Sequence, residues 1–309
     1  MLRIALQGSI NDSVKLLETI RSKDNCIVSG LCTELEEPEN EKNKLLDHPV
    51  QIFSTIHSII PISDVVIFLE HTNETVPYVK LCLKESRHVF IYPVNLIRPE
   101  TLKEYVKLAE EAGVILYLFH RPNLGKLENL LNGNGNLPEF IDIYRYVLPK
   151  ENQPGYVEAV LRDEMLYLTS VAKYPVKKFK VATVPYYSTY PFIINVRIEF
   201  TNGSTANLTI NTFTGLNTRF SEFYFSDGLI QVNTLEKNIR HRIWKTDKTY
   251  KYELNGWLNE EKDLKSEIAK FLSEISKISY PLNHYEFGYN IYNTIWELFR
   301  EITPAGQLN

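Results

Sequence analysis

Short apolar runs alternate with helical patterns through the first 120 residues. Leu2–Leu6, Cys26–Cys32, Val65–Leu69, His88–Tyr92 and Val114–Phe119 read as strands. Between them Val14, Leu17 and Ile20 recur at helical spacing, and Pro77–Glu85 and Glu100–Ala112 read as further helices. The strands are apolar throughout instead of alternating, as in parallel sheets that are covered by helices on both faces. Asp12 or Ser13 is the expected cap of the first helix and Asn73 of the second. Pro99 and Gly113 suit the first position and the stop of the third. The charged stretch Glu34–Lys44 reads as a solvated loop.

After Pro122 the character changes, through the turn-rich stretch Leu131–Glu139. A strand, Phe140–Tyr146, leads to a helix from Tyr156 to about Lys173, and the pattern then becomes an antiparallel meander. Ile193–Phe200 and Thr205–Thr212 flank Asn202-Gly203, and Phe220–Phe225 and Leu229–Val232 flank Asp227-Gly228, both pairs of a kind that tolerates positive φ in tight hairpins. Arg240–Trp244 and Thr249–Leu254 extend the meander, and helices Asp263–Ile275 and Tyr285–Ile302 close the chain. The fold class is α/β. A doubly wound parallel sheet of the Rossmann, dinucleotide-binding kind is expected over 1–121, and an α+β domain with an open, mainly antiparallel sheet over 122–309.

Composition narrows the partners. A chain of 309 residues can bury two cores. With 34 basic against 38 acidic residues, it has no positive surplus to release counterions from a nucleic acid. Its longest apolar runs, Val65–Leu69 and Val114–Phe119, are far short of the roughly 20 residues that span a bilayer. The opening MLRIALQG reads as a first strand and not as a leader, so a cytoplasmic location is expected. Cys26, Cys32 and Cys82 form no C-x-x-C pair and are expected to be reduced. The seven histidines show no metal-ligand spacing, and no metal site is expected.

Four stretches carry a resemblance. They are Asp64–Leu69, the segment VFIYPVNLIRPETLKEYVKLAEEAGVILYLFH at Val89–His120, FIINVRIEFTNGSTANLTI at Phe192–Ile210, and LKSEIAKFLSEI at Leu264–Ile275. Their order resembles the Gfo/Idh/MocA oxidoreductases, the family of glucose-fructose oxidoreductase and inositol dehydrogenase. The resemblance implies NAD or NADP lying across the strand ends of the first domain, with a small substrate between that cofactor and the second sheet.

The same resemblance locates the site, and here the chain departs from the pattern. Gly8-Ser9-Ile10-Asn11-Asp12-Ser13 stands where the family carries G-x-G-x-x-G, so only the first glycine remains. Ile10 puts a branched side chain where a diphosphate would touch backbone, and Asp12 adds negative charge near the helix N-terminus. Ser9, Asn11 and Ser13 keep hydrogen-bonding capacity. Cys32 and Thr33 occupy the position of the ribose-binding acid, with Glu34 next, which leaves NAD versus NADP open. Ile91-Tyr92-Pro93 replaces a Glu-Lys-Pro turn and resembles the Glu-Tyr-Pro of biliverdin reductases, where a phenol can donate a proton. Glu70 and His71 stand where a neutral pair near the cofactor is common, and His120 matches a position near the nicotinamide.

On the helix opening the second domain, Glu158 and Arg162, with Asp163 following, stand where sugar dehydrogenases carry Asp and His one turn apart. Arginine cannot accept the proton that histidine would. Arg162 is therefore expected either to pair with Glu158, for about 0.3 kcal/mol, or to clamp an anionic substrate. The expected cofactor contacts are Gly8, Ser9, Ile10, Thr33, Pro93 and His120, and the expected chemistry falls to Tyr92, Arg162 and Glu158. Two functions follow. One is a divergent NAD(P)-dependent oxidoreductase of a small, anionic substrate; the other is a family member that has lost catalysis and serves binding or assembly. Either is expected to form a homodimer through its second sheet.

Overall fold

The computed structural model describes residues 1–33, 50–92, 97–119, 127, 130–131, 137–148, 156–184, 193–254, 260–276 and 283–302. The first part of the chain forms β1 (Leu2–Gln7), α1 (Ile10–Arg21), β2 (Cys26–Cys32), β3 (Ile52–Phe53), α2 (Ile56–Ile59), β4 (Val65–Phe68), α3 (Val76–Lys84), β5 (His88–Ile91), α4 (Pro99–Ala112) and β6 (Leu116–Leu118). Its six strands are all parallel, in the order β3-β2-β1-β4-β5-β6. The chain winds outward from β1 to β3, then crosses back and winds outward through β4 to β6. That reversal is the doubly wound topology. Val65–Phe68 is buried at every position, as a strand covered on both faces must be.

Helix boundaries correct two expectations. Ser9, not Asp12 or Ser13, caps α1: its backbone is extended, and its Oγ accepts from the Asp12 N–H at 3.2 Å. Ser9 and Asp12 stand three apart, the spacing of a capping box, so both later residues lie inside the helix. Thr75, not Asn73, occupies the cap position of α3, and its Oγ1 accepts from the Thr72 N–H at 2.9 Å. Helix α4 starts at Pro99 and stops against Gly113 in the left-handed conformation.

The second part forms β7 (Phe140–Tyr146), α5 (Tyr156–Ala172), β8 (Val176–Val184), β9 (Ile193–Phe200), β10 (Thr205–Asn211), β11 (Thr218–Phe225), β12 (Gly228–Asn233), β13 (Asn238–Ile243), β14 (Lys248–Glu253), α6 (Glu260–Ser276) and α7 (Asn283–Ile302). Eight strands lie in the order β14-β13-β12-β11-β7-β10-β9-β8. All neighbours are antiparallel except β7 and β10. One face buries Ile143, Val196, Leu208 and Phe223, the last packed on Tyr167 of α5. The other face carries Asn195, which donates to Asn207 at 2.8 Å, and Asn207 donates in turn to Asp142 at 2.9 Å. A groove of ≈ 680 Å³ opens there between Phe140, Tyr144, Phe179 and Arg197. Both hairpins form. Gly228, however, needs no positive φ; its glycine matters because a Cβ would lie 2.5 Å from the Arg242 carbonyl oxygen on β13.

Two compact units result, Met1–His120 with Glu260–Tyr285 and Arg121–Asn259 with Glu286–Asn309. Helix α6 is thus part of the first unit, although it follows the whole second sheet in sequence. Its Phe271 ring packs 5.4 Å from Phe90 and 5.6 Å from Tyr117, and the Tyr117 hydroxyl donates to Glu267. Ile268 and Leu272 are buried in the same cluster as Ile4, Leu6 and Ile67. No helix among the described residues is long and apolar enough to cross a membrane.

Truncating a fully buried phenylalanine costs about 3–5 kcal/mol. Phe271→Ala is therefore expected to lower urea stability by that order and to reduce amide protection in β4, β5 and β6 before β9 and β10. Loss confined to the second sheet would contradict this packing.

Candidate functional site

The first β–α turn is built by a close approach. Strands β1 and β4 are neighbours, and the Leu69 N–H donates to the Gln7 carbonyl at 2.8 Å just beyond them. Gly8 follows at φ +145°, where a Cβ would lie 2.8 Å from that of Leu69. Glycine alone meets both demands. The Gly8 N–H donates to the Cys32 carbonyl at 3.1 Å, so the turn is fixed from both sides of β1. This is the point where the winding reverses, and open α/β sheets place ligands outside the strand ends there.

The residues that follow close on themselves. Ser9 Oγ donates to Asp12 Oδ2 at 3.0 Å, and Lys15 Nζ holds Asp12 Oδ1 at 2.8 Å. Burial alone would raise the Asp12 pKa; the hydrogen bonds from Lys15 and Ser9 outweigh it and hold the carboxyl below its usual range. A carboxylate thus sits in the first turn, where the helix end favours an anion. Ser13, in the place of the third glycine, is fully buried and donates to the Ser9 carbonyl at 2.8 Å. It is small enough to keep α1 close to the sheet. Ile10 is also fully buried, in the cluster that contains Leu69 and Phe119. Its side chain is core, contrary to the expectation that it would lie across the phosphate path.

At the end of β2, Cys32 is fully buried and the Thr33 N–H donates to the Phe53 carbonyl at 3.2 Å; Glu34 lies outside the described residues. Ile91 is core. Tyr92 follows β5 directly, its N–H donating to the Phe68 carbonyl at 2.8 Å and its half-buried ring 5.1 Å from Phe119. Pro93 and His120 lie outside the described residues. His71 is buried, with Nε2 3.3 Å from the Tyr105 hydroxyl, whereas Glu70 is exposed. Burial lowers the His71 pKa to about 4, and burial followed by the charge of Glu104 raises that of Tyr105, so both stay neutral at pH 7.

In the second unit Glu158 and Arg162 share α5 one turn apart, but the ion pair of Arg162 runs to its neighbour Asp163, Nε to Oδ1 at 3.1 Å. The expected pair with Glu158 is replaced. A buried cluster lies close by that residue spacing alone did not reveal. Glu164, 1 % exposed, accepts from Arg219 Nε at 3.0 Å and Nη2 at 2.8 Å and forms an ion pair with Arg145 Nε at 3.3 Å, all through Oε1. Arg145 and Arg219 are direct partners across β7 and β11. Only the register brings them together. Among the described residues no group of three His, Cys, Asp or Glu is placed to hold a metal ion.

No protein-family profile and no curated protein matches the sequence. Solved structures match along nearly the whole chain. UDP-N-acetylglucosamine 3-dehydrogenase from Acidithiobacillus ferrooxidans is 14 % identical with a TM-score of 0.74, covering 96 % of both chains. Biliverdin reductase from Synechocystis sp. PCC 6803, solved with biliverdin and NADP+, is 14 % identical with a TM-score of 0.72, covering 98 % of this chain and 99 % of that one. A Gfo/Idh/MocA family oxidoreductase from Vibrio cholerae is 12 % identical with a TM-score of 0.75, covering 98 % and 99 %. The fold is that of the Gfo/Idh/MocA oxidoreductases.

A Gfo/Idh/MocA fold implies a nicotinamide dinucleotide, and the first unit fits its frame. The strand order and the Gly8 turn are in place. Gln7, at the end of β1, is 4 % exposed and its Oε1 has no hydrogen-bond donor among the described residues, a buried acceptor of the kind that a bound polar group satisfies. Any hold on a diphosphate here would be weaker than three glycines would give, because Asp12 already occupies the first turn of α1. Lys15 pairs with that carboxylate, so the two side-chain charges there offset each other.

The neutral His71 makes a pH signature. Its folded pKa, about 4, lies below the ordinary value of 6.5, so the unfolded chain takes the proton first as pH falls. Its stability contribution is complete above about pH 6.5 and is lost between there and pH 4, by on the order of 3 kcal/mol. His88, also lowered by burial, acts in the same direction. Urea melts should therefore show a steeper loss over this window in the wild type than in His71→Leu. Parallel pH curves would disprove the assignment.

Proposed function

We propose that the protein is a divergent NAD(P)-dependent oxidoreductase of the Gfo/Idh/MocA type, acting in the cytosol on a small anionic substrate. The observation that carries this reading is the Gly8 turn at the reversal of a six-stranded parallel sheet. The backbone of Gly8, Ser9 and Ile10 would hold the diphosphate, with Thr33 toward the ribose and Pro93 and His120 toward the nicotinamide. When bound, that group supplies the hydride.

The chain's own residues favour reduction. A guanidinium has no acceptor for the proton of an alcohol, so Arg162 serves to hold the negative end of a substrate, with Glu158 one turn away on the same helix. The proton that a reduction requires falls to the Tyr92 phenol, whose ring is steadied by Phe119. We place a homodimer contact on the polar and aromatic face of the second sheet, where Phe140, Tyr144, Phe179 and the Asn195–Asn207 pair line the ≈ 680 Å³ groove. A second reading, binding or assembly without turnover, draws support from the Ser9–Asp12–Lys15 closure where a diphosphate would lie.

Fluorescence and thermal-shift titrations with NADH and NADPH separate the two readings. Saturable binding of either is expected below 1 mM as an order of magnitude; silence toward both at millimolar concentration overturns the oxidoreductase reading. Replacing Asp12 with Ser should tighten the cofactor about two- to fivefold, from the roughly 0.3–1 kcal/mol that a charge is worth at a helix N-terminus. Tyr92→Phe should lower turnover by about 10²–10⁴ with cofactor affinity unchanged. An equal loss of both would make Tyr92 a packing residue.

A further inference from the structure

Where β7 ends and β11 begins, two guanidinium groups share one carboxylate. Arg145 and Arg219 stand opposite each other on one face of the antiparallel pair, where like charges repel. Glu164 compensates for only one of them, and through a single oxygen, since both arginines converge on Oε1 while Oε2 has no donor among the described residues. The trio keeps one positive charge. A buried carboxylate needs a single well-placed arginine to be paired, and Arg219 already supplies two N–H groups. Arg145 is the surplus.

Both guanidinium groups are held in place, with side chains 20 % and 22 % exposed. Arg219 lies over the Tyr167 ring at 4.3 Å, and its Nη1 donates to no acceptor among the described residues. Arg145 is fixed by Asn217 at 2.7 Å and by the Tyr146 carbonyl at 3.2 Å. Burial pushes its pKa down, Glu164 opposes that, and the like charge of Arg219 pushes it down again. Two immobilised guanidinium groups short of one negative charge, with Arg219 Nη1 still without an acceptor among the described residues, suit an oxyanion.

We propose that Arg145 and Arg219 form an oxyanion subsite that takes the carboxylate or phosphate group of a small ligand, with Glu164 as the resident anion that orients the pair. Calling that ligand the substrate rests on the oxidoreductase reading; binding the anion does not. Residues in one strand pair and one helix suffice for it, and no cofactor is involved.

The test is calorimetry and thermal shift on the full chain with inorganic phosphate and with succinate, at constant ionic strength held with chloride. Saturable binding of at least one is expected; phosphate alone marks a phosphoryl ligand and succinate alone a carboxylate. Arg145→Gln should weaken that binding at least tenfold. Glu164→Gln, which keeps the shape and removes the competing charge, should tighten it by a similar factor and make the melting temperature depend more steeply on the anion. If Arg145→Gln fails to fold, the Glu164→Gln result decides alone. Neither anion binding, or no tightening in Glu164→Gln, overturns the subsite. Anion binding without any response to NADH or NADPH overturns the oxidoreductase reading and leaves the subsite standing, and the reverse pattern does the opposite.

Discussion

The close approach of β1 to the end of β4 governs the first unit. Gly8 can lie against Leu69 only without a side chain and only in a backbone conformation that other residues avoid. That contact fixes where the sheet's winding reverses, where α1 begins, and which residues surround the strand ends. A dinucleotide frame follows from it whether or not the neighbouring residues still favour a diphosphate. Ile10, Asp12 and Ser13 all fit within that frame: Ile10 lies in the core, Asp12 belongs to the cap and Ser13 is small enough to keep the helix close.

The parts of this arrangement that were legible in the sequence are those that depend on local chemistry. Continuous apolar runs mark β4 and, after His88, β5 because a strand covered on both faces has no polar side. Pro99 and Gly113 bracket α4 because one lacks a donor and the other tolerates the left-handed stop. Strand β8 is not legible in the sequence for an equally physical reason. It is an edge strand, rich in lysine and bulged between Val176 and Lys178, so its alternation is broken. The two-residue β3 is too short to carry a pattern.

At the site the limits were of another kind. The Glu158–Arg162 spacing was visible, but Asp163 competes for the same guanidinium at 3.1 Å. Arg145 and Arg219 are 74 positions apart and meet only through the strand register, which no local window contains. The two units also treat negative charge in opposite ways. In the first, Asp12 supplies an internal anion with its own lysine; in the second, one carboxylate is divided between two arginines.

Helix α6 sets an order of events for synthesis. Domains generally fold as they leave the ribosome, the N-terminal one first, yet the rings of Phe90 and Tyr117 are covered by Phe271, which is translated after the entire second sheet. Until that helix emerges, the nascent first unit presents an unsealed aromatic surface beside its parallel strands. The whole second sheet is therefore translated before the first unit is complete, and Glu260–Ser276 is the closing seal of the N-terminal fold.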